Sequence, residues 1–67
     1  MKVYIVNVNN CEKYPEDYFE ENRGVYLSRE KAIDTMTSQG FDTKTKIRVL
    51  GRYNKEKYRI EEWEVEP

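Results

Sequence analysis

Seven basic side chains fall within residues 44–59: Lys44, Lys46, Arg48, Arg52, Lys55, Lys57 and Arg59, against one acid, Glu56. Bases at that density suit phosphate binding, because each lysine or arginine set against a phosphate releases counterions. Tyr53 and Tyr58 lie in the same stretch, and tyrosine rings stack on unpaired bases. A two-stranded ribbon carrying these side chains also fits a major groove. Five phosphate contacts would give a log–log salt slope of about −4.5. Residues 60–67 then add Glu61, Glu62, Glu64 and Glu66 with no base. Folded as a hairpin, the segment sets these acids opposite Lys46 and Arg48, and cross-strand ion pairs neutralise part of the patch. The tip from Arg52 to Lys57 is left, with only Glu56 answering its charge.

A second candidate surface precedes it. Residues 12–21 interleave Tyr14, Tyr18 and Phe19 with five acids. Exposed rings bordered by charge make the anchors and rim of a protein-binding surface. The competing reading folds these rings back over a sheet edge to enlarge a small core.

Catalytic chemistry finds little to work with. There is no histidine, so the commonest general base and the usual triads are missing. The three glycines are too scattered for a phosphate-cradling loop. Cys11 is the only cysteine, which excludes an internal disulfide and, without histidine, a common zinc site. Its neighbours Asn10 and Glu12 offer no positive charge to activate a thiolate. The carboxylate pairs Glu16/Asp17, Glu20/Glu21 and Glu61/Glu62 read as solvated faces in a chain so rich in charge. No catalytic residue, metal site or cofactor is expected, and the chain does not read as an enzyme.

The elements that must position these residues can be read from pattern. Residues 2–8, KVYIVNV, are apolar on both alternating sets, as in a central strand or one covered twice. Residues 9–23 form a long connection in which Pro15 can open a helical turn that brings Tyr14 and Tyr18 to one side. A short strand at 24–27 ends at Ser28, a good N-cap. From there to Gly40, Ala32, Ile33 and Met36 form the narrow apolar stripe of a helix. Ile47 and Val49 alternate with Lys46 and Arg48, so a half-buried strand with its bases outward is expected over 44–53, followed by a turn at Asn54-Lys55. In the last strand Tyr58 and Ile60 have one parity and Trp63 and Val65 the other. A β-bulge at Glu61-Glu62 would restore them to one face; otherwise Trp63 serves the opposite face. The expected fold is α+β: a single domain over residues 1–67, ββαββ, with a mainly antiparallel four-stranded sheet and one helix on one face.

One helix covers only one side of such a sheet. Tyr4, Val6, Val8 and Trp63 are the candidates for the uncovered face, and a symmetric homodimer is the expected partner for it. At 67 residues the chain is near the lower limit for folding unaided, which favours the same conclusion. No apolar run reaches the roughly 18 residues of a membrane span. The N-terminus lacks the cleavage pattern of a signal peptide. With a lone cysteine, this predicts a cytoplasmic protein.

The string GVYLSREKAIDTM, with KVYIV before it and YRIEEWEVEP after it, resembles a pattern in small proteins of bacteriophages and Gram-positive bacteria. The resemblance covers most of the chain outside residues 9–22, and it carries no catalytic or ligand residue. It implies a phage or prophage origin and a role in binding and blocking a host protein, immune effectors included. The leading expectation is therefore a protein-binding inhibitor, with Tyr14, Tyr18 and Phe19, or Arg48, Arg52, Tyr53 and Lys55, at the contact. One alternative is a small nucleic-acid-binding protein using the hairpin 44–59. A nucleotide-sequestering protein is another, and it needs a cleft lined by basic residues and tyrosines, for example across a dimer seam.

Overall fold

A computed structural model describes residues 1–66. Strands β1 (Lys2–Asn9) and β2 (Glu20–Tyr26), helix α1 (Arg29–Ser38), and strands β3 (Ile47–Leu50) and β4 (Asn54–Glu64) follow one another along the chain. The sheet is antiparallel throughout, in the order β2-β1-β4-β3. This is the expected ββαββ, α+β arrangement. Among the described residues no helix is long and apolar enough to cross a membrane.

The helix forms where its local signals lie. Ser28 has extended backbone, and its hydroxyl accepts the Lys31 amide at 3.1 Å, a cap worth about 1 kcal/mol. At the other end Gly40 takes φ +102, and the amides of Gln39, Gly40 and Phe41 close on the last carbonyls. Ala32 and Met36 are buried against Val6, Val8, Tyr58 and Phe41, and Tyr26 and Ile60 pack around this core. The Phe41 and Tyr58 rings meet edge to face, with centroids 5.4 Å apart. Every buried strand residue therefore has even parity, and the odd positions of β1 and β4 face away from the helix.

That parity corrects the expected uncovered face. Val6 and Val8 lie in the core beneath the helix. Tyr4 shares their side, with the Arg29 guanidinium 5.5 Å from its ring centroid. Of the four residues expected on the open face only Trp63 is there, beside Val3 and near Ile5 and Val25. No bulge forms at Glu61-Glu62, since β1 and β4 pair without interruption from Lys2↔Glu64 to Asn9↔Lys57. The irregularity sits instead in β2, where one extra residue is accommodated between Val25 and Asn22. Gly24, inside this bulge, adopts φ +130, and a Cβ there would lie 3.1 Å from Tyr26 Oη.

The basic hairpin also differs from its expected form. Residues 42–46 make a tight loop rather than a strand: the Asp42 carboxylate accepts the amides of Lys44 and Thr45, both at 2.8 Å. These backbone bonds, Thr45 first, hold the Asp42 carboxyl below its ordinary range. The β3–β4 turn is Gly51–Tyr53, so Asn54 and Lys55 belong to β4. Because β3 pairs only with Asn54–Lys57, while β1 pairs with β4 from Lys57 onward, the hairpin projects past the end of β1. The helix does not cover this projection, and Val49, expected half-buried, is exposed.

Candidate functional site

The projecting hairpin and the β1–β2 loop are the two ends of the sheet that point the same way. The loop is held by Asn10. Its backbone amide bonds the Phe19 carbonyl at 3.1 Å, its side-chain amide donates to the Asp17 carbonyl at 2.7 Å, and its side-chain oxygen accepts the Phe19 amide at 3.1 Å. Asn9 accepts the Cys11 amide at 2.9 Å, and Cys11 turns the chain with φ 60. The amides of Asp17 and Tyr18 both bond the Tyr14 carbonyl at 3.0 Å, a single helical turn that begins at Pro15 as expected. The loop therefore has fixed geometry, and its aromatic side chains stay outside the core: Tyr14, Tyr18 and Phe19 are all exposed. This is the opposite of rings folded back over a sheet edge.

Between loop and hairpin lies an open cleft of about 300 Å³, lined by Asn10, Cys11, Glu12, Lys13 and Tyr14 on one side and Tyr53 and Lys55 on the other. Tyr53, at 84 %, is the most exposed of the large hydrophobic residues among those described. Two segments that looked like separate candidates in the sequence are thus brought together, with Tyr14 facing Tyr53 and Lys55. Arg52 stands in the same turn outside the cleft lining. Lys13 is a lining residue that the sequence pattern did not single out; its signal was only its place between the loop's turn formers.

Arg48 is not part of this surface. The expected outward basic face is reversed, and Arg48 lies on the helix side, its guanidinium 4.7 Å from the Phe41 ring centroid. It donates to the Gln39 carbonyl at 3.0 Å and to Glu56. Glu56 in turn accepts Arg23 at 3.2 Å, and Arg23 also pairs with Glu21. This ladder of Glu21, Arg23, Glu56 and Arg48 ties the hairpin base to β2 and to the end of the helix. Glu56 is therefore spent below the tip and does not offset Arg52, Lys55 or Lys57. Its partner in the register is Arg48, and Glu61 lies across from Ile5 rather than from Lys46.

The open face carries a second polar chain. Arg59 donates two hydrogen bonds to Glu20, at 3.0 and 2.8 Å, and a third to Glu61. Glu61 also accepts the Trp63 indole N–H at 2.9 Å, and Glu20 accepts the Tyr18 hydroxyl at 3.1 Å. Hydrogen bonding from Arg59 holds the Glu20 carboxyl below its ordinary range. The Trp63 N–H, then Arg59, does the same for Glu61. Desolvation, followed by the Glu20 bond, raises the Tyr18 phenol. Arg59 is raised by the same two carboxylates, Glu20 first.

Among the described residues no group of three or more His, Cys, Asp or Glu side chains is placed to hold a metal ion. No family model matches the chain, and neither a curated protein nor a solved structure matches it.

Proposed function

We propose that the chain is a non-enzymatic binding module that captures a partner protein at the end of the sheet where the β1–β2 loop and the β3–β4 hairpin meet, and alters that partner's activity. The observation that supports this reading is the convergence of exposed rings on a rigidly held cleft. Tyr14 and Tyr53 line it with Lys13 and Lys55, Tyr18 and Phe19 are exposed on the same loop, and Arg52 stands in the same turn as Tyr53. Aromatic anchors with a charged rim are the residues that dominate protein interfaces. The resemblance to phage and prophage chains points to a host protein as the partner, with inhibition of host defence as the role it implies. A reducing cytoplasm suits the exposed thiol of Cys11.

A second reading has one observation in its favour. The cleft has the lysine and tyrosine lining that nucleotide sequestration requires, and it has it within a single chain. Its volume is at the lower end for a small-molecule site. The nucleic-acid reading is weaker, because Arg48 and Arg59 are engaged by carboxylates, leaving Lys44, Lys46, Arg52, Lys55 and Lys57 without ion pairs among the described residues.

Affinity capture from host lysate, with wild type and a Tyr14→Ala/Tyr53→Ala variant in parallel, tests the proposal. One protein recovered stoichiometrically by wild type and lost with the variant is the expected result. Recovery of nucleic acid alone, released by salt, would overturn it. Binding of a mononucleotide that shifts the Lys13 and Lys55 NMR signals, with no protein recovered, would favour the second reading.

A further inference from the structure

The open face of the sheet has a polarity that a twofold axis turns into complementarity. Along β4 the side chains facing away from the helix are Lys55, Lys57, Arg59, Glu61 and Trp63: bases in the first half, then an acid and the only tryptophan. Beside Trp63 lie Val3 and Ile5 of β1 and the exposed Val25 of β2, an apolar patch at one end of the face. Trp63 itself is 55 % exposed. Lys57 has no ion pair among the described residues, and its neighbours in the register are Asn9 and Ile47.

We infer that this face is the contact of a homodimer in which each β4 lies antiparallel over β4 of a second copy, with the twofold at the level of Ile60. In that arrangement Lys57 meets the partner copy's Trp63, and Arg59 meets its Glu61, each contact occurring twice as an isologous interface demands. The first pair sets an ammonium against an indole face. The second needs a side-chain rotation of Glu61 that exchanges its bonds to its own chain's Arg59 and Trp63 indole N–H for one to the partner copy's Arg59, while each Arg59 keeps both bonds to Glu20. The patch of Val3, Ile5 and Val25 then packs on the lysine stem and asparagines of the opposite half. The strand directions of the two sheets stay nearly aligned, as in stacked sheets.

Three strands about 4.8 Å apart and eight residues long give a contact of roughly a few hundred Å² per copy. That is small for a stable dimer, so dissociation in the micromolar range is expected. The two clefts would point in opposite directions from such a pair. This inference does not depend on what the clefts bind.

Sedimentation equilibrium over 2–200 µM tests it. The wild type should rise from the 8.1 kDa monomer toward twice that mass, and its single-tryptophan emission should shift to the blue over the same range. Trp63→Lys places like charges opposite each other twice and should remain monomeric at 200 µM with an unchanged circular-dichroism spectrum. Mixing Trp63→Lys with Lys57→Glu should restore association, because the heterodimer pairs opposite charges at one contact and keeps the native pair at the other. A wild type that stays monomeric at 200 µM, a Trp63→Lys chain that dimerises like wild type, or a mixture that stays monomeric would overturn the proposal. Since these measurements report only self-association and folding, failure here leaves the lysate-capture result untouched.

Discussion

Replacing Glu56 by glutamine removes one charge and almost no volume from the point where the projecting hairpin is fastened to the rest of the sheet. Glu56 accepts from both Arg23 and Arg48, and its side chain is only 17 % exposed. A hydrogen bond to a charged group contributes about 1.5–3 kcal/mol, and one between neutral groups about 0.5–1.5 kcal/mol. Glutamine offers one acceptor oxygen where Glu56 uses two, so one of these bonds is weakened and the other is lost to a facing NH2, together roughly 2 kcal/mol. Because both arginines retain some contact with water, the expected cost falls to about 1–2 kcal/mol. In a domain of this size each kcal/mol moves the midpoint by about 4–8 °C, so Tm should fall by about 5–15 °C. Thermal unfolding followed by circular dichroism at pH 7, in 50 mM and 500 mM salt, measures this. A partly buried ladder is weakly screened, so most of the loss should persist at high salt. A fall of less than about 2 °C, or one abolished by salt, would mean that Glu56 makes only surface pairs and that the hairpin is held by something else.

Three further outcomes follow from side chains already described. Tyr58 Oη is buried with no hydrogen-bond partner among the described residues, and burial raises its phenol above the ordinary value. Tyr58→Phe should leave stability unchanged or raise it by up to about 1 kcal/mol; a comparable loss in urea unfolding would show that the hydroxyl is satisfied. Gly24→Ala must hold φ +130 with its new methyl against Tyr26, and should cost about 1–3 kcal/mol by the same assay. The carboxyls of Glu20, Asp42 and Glu61 are all held low in the folded state. Their contribution is therefore complete above the unfolded carboxylate value and is lost as pH falls through the lower folded values. Tm should decline on acidification below about pH 4.5, less steeply in Asp42→Asn; a flat profile down to pH 3 would contradict the assignment.

The helix and the central strand were legible because their signals are local. Ser28, Gly40 and the Ala32–Met36 spacing need no knowledge of the rest of the chain, and β1 announces itself by being apolar on both faces. The sides of the sheet were harder. The alternation of Ile47 and Val49 with bases suggests an inward apolar face, yet the register sets Ile47 beside Lys57 and Val49 beside Lys55 on the open side of the sheet. Arg48 turns inward because its long stem can lie over Phe41 while its guanidinium reaches Glu56 and a helix-end carbonyl. Periodicity reports which residues share a face, not which face is covered. The change of parity in the last strand suggests a bulge at Glu61-Glu62, whereas the visible sign of the bulge that forms is Gly24, a glycine inside a strand. The cleft could not be read from the sequence at all, since it depends on how far one hairpin overhangs another.

The pairing of β1 with β4 at the centre of the sheet has a consequence for how the protein is made. Some 45 residues separate the end of β1 from the start of β4. At roughly 5–20 residues per second, several seconds of synthesis pass before the central strand meets its second neighbour. Until β4 joins, β1 has only β2 and the helix to pack against, and its other edge stands open. An apolar strand with a free edge is the form in which nascent chains associate wrongly. Chaperone dependence in the cell should therefore track the delay between the first strand and the last, rather than the stability of the finished domain.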